Sequence, residues 1–218
     1  MLIAVPMTDR DFSERVKEAR DKGADLVELR VDQFSRTEVP YVIELLERAK
    51  DVGLGTILTV RIPSEGGREV SNRREIFEKV APLSDYTDVE LSERELIIFV
   101  RSAVERGGGK MILSFHNFEM TPPNWVIREI IREGHRYGGI PKVAVKANSH
   151  EDVARLLCVG NQEKYDKILI AMGDEGRVSR IAGFVFGSVI TYASLGESLA
   201  PGQLSLEEVV KLRKLLYE

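Results

Sequence analysis

The sequence predicts an α/β protein, a single-domain (β/α)8 TIM barrel that spans residues 1–218. Short β-branched or apolar runs alternate with longer amphipathic runs along the chain, which is the pattern of βα units on a parallel sheet. Eight units fit into the chain, so each has about 27 residues, near the lower limit for such a barrel. No linker or low-complexity stretch interrupts the series. A doubly wound open sheet is the alternative, but no glycine-rich turn follows the first strand.

Each unit is predicted from one apolar run and the amphipathic run after it. The predicted strands are 2–5, 26–31, 56–62, 86–91, 111–116, 143–147, 168–172 and 184–190. The predicted helices are 9–22, 39–51, 71–81, 93–106, 124–137, 150–160, 179–182 and 205–217. Thr8 or Asp9, Ser149 and Ser205 are the expected caps, and Ser205 begins a capping-box pattern.

Composition limits the classes of partner. The formal net charge of −4 includes no basic excess, so we expect neither a nucleic-acid nor a membrane partner, whereas small anionic substrates remain compatible. No apolar run approaches the roughly 20 residues that span a bilayer, and the short apolar start lacks the charges of a signal peptide. We therefore expect a cytoplasmic protein. The single cysteine, Cys158, is expected to be a small buried side chain in a helix rather than a catalytic thiol.

Polar residues recur on one face of five successive predicted strands. Alternate strand residues point into a closed barrel, and helices cover its outside, so this polar face is expected to be the lumen. Catalytic groups in such barrels come from the carboxyl ends of the strands and the following loops. The polar positions are Glu28, Arg30 and Asp32; Thr59 and Arg61, followed by Glu65; Asp88 and Glu90; Ser114 and His116; and Lys142 and Lys146.

His116 is the only one of three histidines that ends a predicted strand. His135 lies in a helix and His150 at a helix start, where surface or capping roles are expected. For His116 a satisfied core histidine is the alternative to a general acid or base. A metal site is less favoured, because the chain contains no His-x-x-x-His motif or cysteine cluster.

Two lysines of equal parity compete for the role of nucleophile in the sixth strand. Lys146 lies nearer the carboxyl end, which favours it by position. A deeper lysine such as Lys142 loses more hydration, which favours the neutral, nucleophilic form. The residues alone leave this choice open.

Two further positions follow the last predicted strands. A loop arginine such as Arg180 suits carboxylate binding through its planar guanidinium, with a surface charge as the alternative. Gln203 lies in a constrained Ala-Pro-Gly-Gln loop and could donate a hydrogen bond, although a plain turn is equally compatible.

Seven motifs in this order resemble type I 3-dehydroquinate dehydratases of the shikimate pathway, over nearly the whole chain. The motifs are Glu28-Leu-Arg-Val-Asp32, Arg61 with Glu65-Gly-Gly67, Ser114-Phe-His116, Pro141-Lys-Val-Ala-Val145, Gly176-Arg-Val-Ser-Arg180, Phe186-Gly-Ser188 and Ala200-Pro-Gly-Gln203. The resemblance implies a hydro-lyase on a TIM barrel, usually dimeric, that converts 3-dehydroquinate to 3-dehydroshikimate and water. It also implies that there is no cofactor or metal, because the reaction passes through a lysine imine.

The resemblance assigns the roles residue by residue. Lys142, which follows the proline, is implied to be the imine lysine rather than Lys146. His116 would remove a carbon-bound proton and return a proton to the departing hydroxyl, with Glu65 orienting its ring. Arg180 and Gln203 would hold the substrate carboxylate, and the ring hydroxyls would be bound by Glu28, Arg30 and Arg61.

Two departures from the family pattern are present. Many relatives have a serine directly before Ala-Pro-Gly-Gln, where this chain has Leu199 after Ser198, which puts a hydroxyl contact in doubt. Longer relatives begin with a hairpin that covers the bottom of the barrel. Here the first strand starts at Leu2, so we expect core side chains alone to close the bottom.

Three other functions can be tested against this one. A Schiff-base aldolase would need a sugar-phosphate site, and no glycine-rich phosphate loop follows the last two strands. A metal-dependent sugar isomerase would lose activity on chelation. A non-catalytic binding barrel would keep the arginines but would not need a deep lysine.

Overall fold

Eight parallel strands form one sheet in the order β8-β1-β2-β3-β4-β5-β6-β7 in a computed structural model that describes residues 1–196 and 202–218. The strands are β1 Leu2–Met7, β2 Leu26–Arg30, β3 Gly55–Thr59, β4 Tyr86–Glu90, β5 Lys110–Asn117, β6 Ile140–Lys146, β7 Ile168–Met172 and β8 Ile190–Tyr192. The helices are α1 Phe12–Asp21, α2 Val39–Asp51, α3 Arg73–Val80, α4 Arg94–Gly107, α5 Asn124–Arg136, α6 His150–Gln162, α7 Ser179–Ala182 and α8 Leu206–Tyr217.

The two edges of this sheet meet between β7 and β8. Lys167 and Ser188 form an isolated parallel bridge there, and the Val189 amide donates to the Lys167 carbonyl at 2.8 Å. The Ser188 hydroxyl accepts from the Leu169 amide at 3.1 Å. These contacts nearly close the sheet, which confirms the predicted (β/α)8 barrel.

Two apolar layers enclose the strands. The larger cluster lies between the strands and the helices, which gives each helix one buried face. A smaller cluster fills the lower lumen and is made of Ala4, Leu26, Ile57, Ile112, Ala144, Ile168, Ile170, Met172, Ile190 and Tyr192. Leu2, Tyr86, Ile140 and Val189, which lie at the amino ends of strands, pack against it. Side chains therefore fill the bottom of the barrel, as predicted.

The eighth strand differs most from its prediction. The run 184–190 was expected to be a strand, but Gly183–Phe186 forms a 3-10 helix and β8 starts only at Ile190. Gly187 ends this turn with a φ of 91°, a left-handed conformation that breaks an extended run. The apolar composition of the segment therefore reflects packing of a turn rather than strand pairing.

Two of the three predicted helix caps are confirmed. The Ser149 hydroxyl accepts from the Asp152 amide, and Ser205 forms a complete capping box with Glu208. The prediction of Thr8 or Asp9 as the cap of α1 is wrong, because α1 starts at Phe12 after Asp11. The Asp9 carboxylate instead accepts from the Ser35 amide at 2.8 Å, which ties together the loops after β1 and β2.

Cys158 does not occupy the buried position expected from its helix. It lies on α6 and is exposed, because the buried face of that helix is formed by residues such as Val153, Leu156 and Leu157. Within residues 1–196 and 202–218, no helix combines the length and apolar character needed to cross a membrane.

Candidate active site

One cavity of about 130 Å³ lies inside the barrel above the apolar floor. It is lined by all eight of the predicted site residues, namely Glu28, Arg30, Arg61, Glu65, His116, Lys142, Arg180 and Gln203. Pro6, Gly66, Phe118, Ala144, Ile170, Met172 and Tyr192 complete the lining. The structure therefore brings together side chains that are up to 175 residues apart in the chain, since Glu28 and Gln203 line the same cavity.

The Lys142 amine is buried in the lumen, where the side chain is only 4% exposed. Its Nζ atom lies 3.0 Å from Asp88 Oδ2, 3.2 Å from Tyr192 Oη and 3.9 Å from Glu28 Oε1. The pairing of β6 with β5 begins at Ile140, and Lys142 stands beside Ser114 in this register. A primary amine is thus fixed among three oxygen acceptors at the cavity wall.

Lys146 occupies a different environment on the same strand. Its side chain is half-buried and packs over Gly173, where an added Cβ would lie 2.6 Å from Lys146 Nζ. Lys146 is absent from the lining of the cavity, whereas Lys142 and His116 share it. Of the two lysines left open by strand parity, the deeper one therefore faces the cavity.

Asp88 connects the lysine to a buried arginine. Its Oδ1 atom lies 2.9 Å from Arg61 NH2 and accepts from the Ser114 hydroxyl at 2.6 Å, while Oδ2 faces Lys142. Burial opposes ionisation, but the charges of Arg61 and Lys142 hold the pKa of Asp88 well below its usual value. Asp88 is therefore a carboxylate between two cations.

Arg61 follows β3, which ends at Thr59 rather than at the predicted residue 62. Its guanidinium donates to Glu90 Oε1 at 2.8 Å and to the Ser114 hydroxyl at 2.6 Å, in addition to its pair with Asp88. Glu90 is held in turn by an ion pair with Arg73 of α3. A buried charge is tolerated when it is paired and fully hydrogen-bonded, which describes this network.

The second strand contributes two polar side chains at the rim of the cavity. Glu28 is buried and accepts from the Thr59 hydroxyl at 2.8 Å. Arg30 makes a bidentate pair with Asp32, at 3.0 Å and 2.8 Å. Because Asp32 fixes the Arg30 guanidinium plane, the remaining N–H groups of Arg30 have a defined direction.

His116 and Glu65 form a close pair at the mouth of the cavity. Glu65 Oε2 lies 2.9 Å from His116 Nδ1 and also accepts from the His116 backbone amide at 3.0 Å. Burial raises the pKa of Glu65 to about 7, against the opposing charge of Arg61. Burial and the charges of Arg61 and Lys142 lower the pKa of His116 well below its usual value. A neutral imidazole with a fixed ring orientation results.

Phe118 covers this pair from the loop after β5. Its ring stacks on the His116 ring, with centroids 6.2 Å apart and planes inclined by 11°. Gly66 has a φ of 86°, and an added Cβ there would lie 2.9 Å from the Phe118 ring. The 3-10 turn Pro63–Glu65 therefore leads into a glycine that lets the chain pass close to Phe118.

Arg180 and Gln203 approach the cavity from the loops after β7 and β8. Arg180 lies in the four-residue helix α7, is 2% exposed and is anchored through its carbonyl, which accepts from Thr191 Oγ1 at 2.7 Å. Burial lowers the pKa of Arg180 to about 10, so the guanidinium remains charged at neutral pH. Leu199 and Ser198, the residues of the predicted departure in this loop, lie outside the described residues.

Two contacts of Lys142 had not been predicted. Asp88 was placed on the lumen face by strand parity, but without a role, because parity does not show which inward side chains meet. Tyr192 was missed because the predicted eighth strand stopped at residue 190. Extending that strand through the β-branched run Val189-Ile-Thr-Tyr192 would have put Tyr192 on the same face as Ile190, in the lumen.

The described ranges contain no group of three or more His, Cys, Asp or Glu side chains arranged to hold a metal ion.

The model of the family described as Type I 3-dehydroquinase matches residues 3–218 of the sequence. The chain belongs to this family. Its members are hydro-lyases, and the chain is therefore an enzyme of that class.

Individual relatives agree with this assignment along the full chain. The 3-dehydroquinate dehydratase of Aquifex aeolicus strain VF5 is 63% identical over 217 residues, covering 100% of this chain and 99% of the relative. The enzyme of Hydrogenobaculum sp. strain Y04AAS1 is 54% identical, with the same coverage.

Solved structures show the same barrel. The crystal structure of the Aquifex aeolicus VF5 enzyme superimposes with a TM-score of 0.98 and covers 100% of both chains. A type I 3-dehydroquinate dehydratase from Clostridium difficile, solved with covalent modified comenic acid, is 29% identical with a TM-score of 0.89. That alignment covers 99% of this chain and 91% of the other.

Proposed function

We propose that the protein removes water from 3-dehydroquinate to give 3-dehydroshikimate, through an imine on Lys142 and with His116 as the proton carrier. The observation that carries the proposal is the shared cavity, which combines a buried primary amine, a neutral imidazole and a buried guanidinium. The Clostridium difficile relative was solved with covalent modified comenic acid, which supports a covalent step in this family.

The first step would be attack of the Lys142 amine on the substrate ketone. A C–N bond forms, the carbonyl oxygen takes up one proton from the nitrogen and one from solvent, and it leaves as water to give a protonated imine. The nitrogen stays opposite the Asp88 carboxylate, which lies 3.0 Å from it in the free protein. A cationic imine nitrogen paired with a buried carboxylate is stabilised more strongly than it would be in water.

The second step would move a proton through His116. The imidazole removes a proton from the carbon beside the imine, and the electrons of the C–H bond move to the nitrogen to give an enamine. The enamine then expels the hydroxyl one carbon further on, which leaves as water with the proton from His116. Hydrolysis of the new imine by water releases the product and restores Lys142. The Glu65 carboxylate at 2.9 Å would orient the ring and stabilise the transient imidazolium.

The remaining residues would place the ring. Arg180 is a fixed, buried cation, so a carboxylate is the substrate group that fits it, with Gln203 as a second donor. Glu28, Arg30 and Arg61 would bind the ring hydroxyls, and each is already held by a second side chain in the free protein. Such preorganised polar groups penalise analogues that lack a hydroxyl.

The test is borohydride reduction in the presence of 3-dehydroquinate, followed by peptide mass spectrometry. We expect an adduct on Lys142 in the wild type and none in Lys142→Ala. Lys146→Gln is the matched control, since it removes the other lysine of β6 and should leave the adduct in place. Absence of an adduct from the wild type would refute the imine, and turnover in Lys142→Ala would favour the non-catalytic role of this lysine.

A spectroscopic assay separates the rival reactions. Dehydration creates a conjugated enone, so absorbance should rise with 3-dehydroquinate and not with sugar-phosphate aldolase substrates. We also propose that the reaction needs no metal or organic cofactor, because the lysine imine supplies the electron sink. EDTA treatment followed by gel filtration should therefore leave turnover unchanged, whereas a metal-dependent isomerase would lose it.

We further propose, from the family resemblance, that the protein is a cytoplasmic homodimer that serves the shikimate pathway to aromatic amino acids. Ile98 on α4 and Trp125 on the neighbouring α5 are 65% and 71% exposed, which offers apolar surface for a second copy. Light scattering should give twice the chain mass of 24.5 kDa. Complementation of a bacterium lacking 3-dehydroquinate dehydratase, tested by growth without aromatic amino acids, examines the pathway role.

A further inference from the structure

Tyr192 is the last residue of β8, is 3% exposed and lines the cavity. Its hydroxyl accepts from Lys142 Nζ at 3.2 Å, and its ring centroid lies 4.3 Å from the same nitrogen. We propose that Tyr192 is a further catalytic residue, whose ring stabilises the positive charge on the Lys142 nitrogen and whose hydroxyl holds that nitrogen in place. This inference rests on the proposed imine mechanism.

The contact with the Tyr192 ring favours a positively charged intermediate. A cation within about 6 Å of a tyrosine ring centroid is attracted by the electron-rich face, more strongly when both partners are buried. The nitrogen carries a charge in the protonated imine and none in the neutral enamine. A contact made mainly with the cationic state therefore stabilises the species that acidifies the neighbouring C–H bond.

The hydroxyl remains a neutral hydrogen-bonding group. Burial, followed by the charges of Glu28 and Asp88, raises the pKa of Tyr192 well above its usual value. The phenol therefore does not give its proton to the Lys142 nitrogen and does not become a competing anion. It stays an acceptor for that nitrogen and keeps its own O–H as a donor.

Two strands that are four positions apart in the barrel hold the nitrogen between them. Asp88 comes from β4 and Tyr192 from β8, whereas Lys142 itself comes from β6. Both contacts come from buried side chains on the barrel wall rather than from mobile loops. This arrangement fixes the position of the reacting atom before the substrate enters.

Tyr86 provides a matched control for substitutions of Tyr192. It is also a strand tyrosine packed against the inner apolar cluster, but it lies at the amino end of β4 and makes none of the described contacts with Lys142. Tyr192→Phe removes only the hydroxyl, and Tyr192→Leu also removes the aromatic ring. Tyr86→Phe and Tyr86→Leu make the same changes away from the amine.

The first experiment measures kcat, KM and the rate at which the borohydride-trapped Lys142 adduct accumulates. We expect Tyr192→Phe to lower kcat and trapping by about threefold and Tyr192→Leu by about 30-fold, with KM within about threefold of wild type. The Tyr86 variants should stay within about twofold. Wild-type kcat and trapping in Tyr192→Leu would overturn the role of Tyr192. Failure of the wild type to form any Lys142 adduct would instead refute the proposed function.

A second experiment keeps the shape of the side chain, in case Tyr192→Leu does not fold. Phenylalanine analogues with one, two and three ring fluorines at position 192 withdraw electrons from the ring face with little change in size. A cation–π role predicts a stepwise fall in kcat with each fluorine, relative to Tyr192→Phe. Equal kcat across the series would show that the ring only fills space and would overturn its electrostatic role.

Discussion

Lys142 Nζ and Asp88 Oδ2 lie 3.0 Å apart inside the barrel, and both side chains are buried. The same carboxylate pairs with Arg61 at 2.9 Å, so one anion serves two cations. In the proposed mechanism the lysine nitrogen would keep this carboxylate as its neighbour, both as an amine and as a protonated imine. Four predictions follow from this cluster and from the groups at its mouth.

Asp88→Asn should damage both turnover and stability. The amide keeps the size of the side chain but leaves Arg61 and Lys142 without their shared anion, and breaking a buried charge pair costs about 3–5 kcal/mol. We expect kcat to fall by about 100-fold and the urea midpoint to drop. Asp174→Asn, at an exposed position, is the control and should change neither. Wild-type stability in Asp88→Asn would contradict the central role of this carboxylate.

Glu65 should set the acidic limb of the pH profile. When Glu65 is ionised it accepts a hydrogen bond from the Nδ1–H group of His116. The other ring nitrogen is then free to act as a base. Its pKa is raised to about 7, so kcat/KM should increase as the pH rises through about 7. In Glu65→Gln this limb should disappear and kcat should fall by about tenfold or more. Glu119→Gln, on an exposed loop, should keep the wild-type profile.

The same pair predicts an unusual dependence of stability on pH. The ordinary pKa values are 4.5 for Glu65 and 6.5 for His116, and folding raises the first and lowers the second. Just below pH 6.5 the unfolded chain therefore holds one proton on His116, and the folded chain holds one on Glu65. Because the two states bind equally many protons, the pair adds no slope to stability in this window.

Single substitutions of Glu65 and His116 should give opposite slopes of folding stability against pH. In Glu65→Gln only His116 remains, the unfolded chain binds more protons below pH 6.5, and stability should fall as the pH drops. In His116→Asn only Glu65 remains, the folded chain binds more protons between pH 4.5 and about 7, and stability should fall as the pH rises. Urea unfolding at intervals across this range should give slopes of about 1 kcal/mol per pH unit. Stability curves with the same slope in both variants would contradict the opposite pKa shifts of Glu65 and His116.

Phe118→Ala should lower activity more than stability. The ring is 47% exposed, so little apolar area is lost, but it stacks on His116 and contacts the Gly66 turn. We expect a loss of about 1 kcal/mol or less in unfolding free energy and a fall of about tenfold in kcat/KM. Tyr165→Ala, which removes a half-exposed ring stacked on His135 outside the cavity, serves as the control. An unchanged kcat/KM in Phe118→Ala would show that His116 is positioned by Glu65 alone.

The sequence by itself determined the barrel and the strand faces that build the site. Alternation of apolar and amphipathic runs depends on local periodicity, and strand parity depends only on the pleat, so both can be predicted from a single chain. Parity predicted the lumen positions of Glu28, Asp88, Ser114 and Lys142, which the structure shows as buried side chains. The eighth strand was placed too early, because a 3-10 turn and a strand of similar apolar composition cannot be distinguished by periodicity.

Only the tertiary structure decided which inward side chains meet. Asp88, Lys142 and Tyr192 come from strands separated by about 50 residues in the chain, and their contacts depend on strand register and barrel closure. The environments of Glu65 and His116 were decided at the same level, because burial and the nearby charge of Arg61 exist only once β3, β5 and the Pro63–Glu65 turn are assembled. Residue type and face are local properties of a strand, whereas contact distance and electrostatic field are properties of the closed barrel.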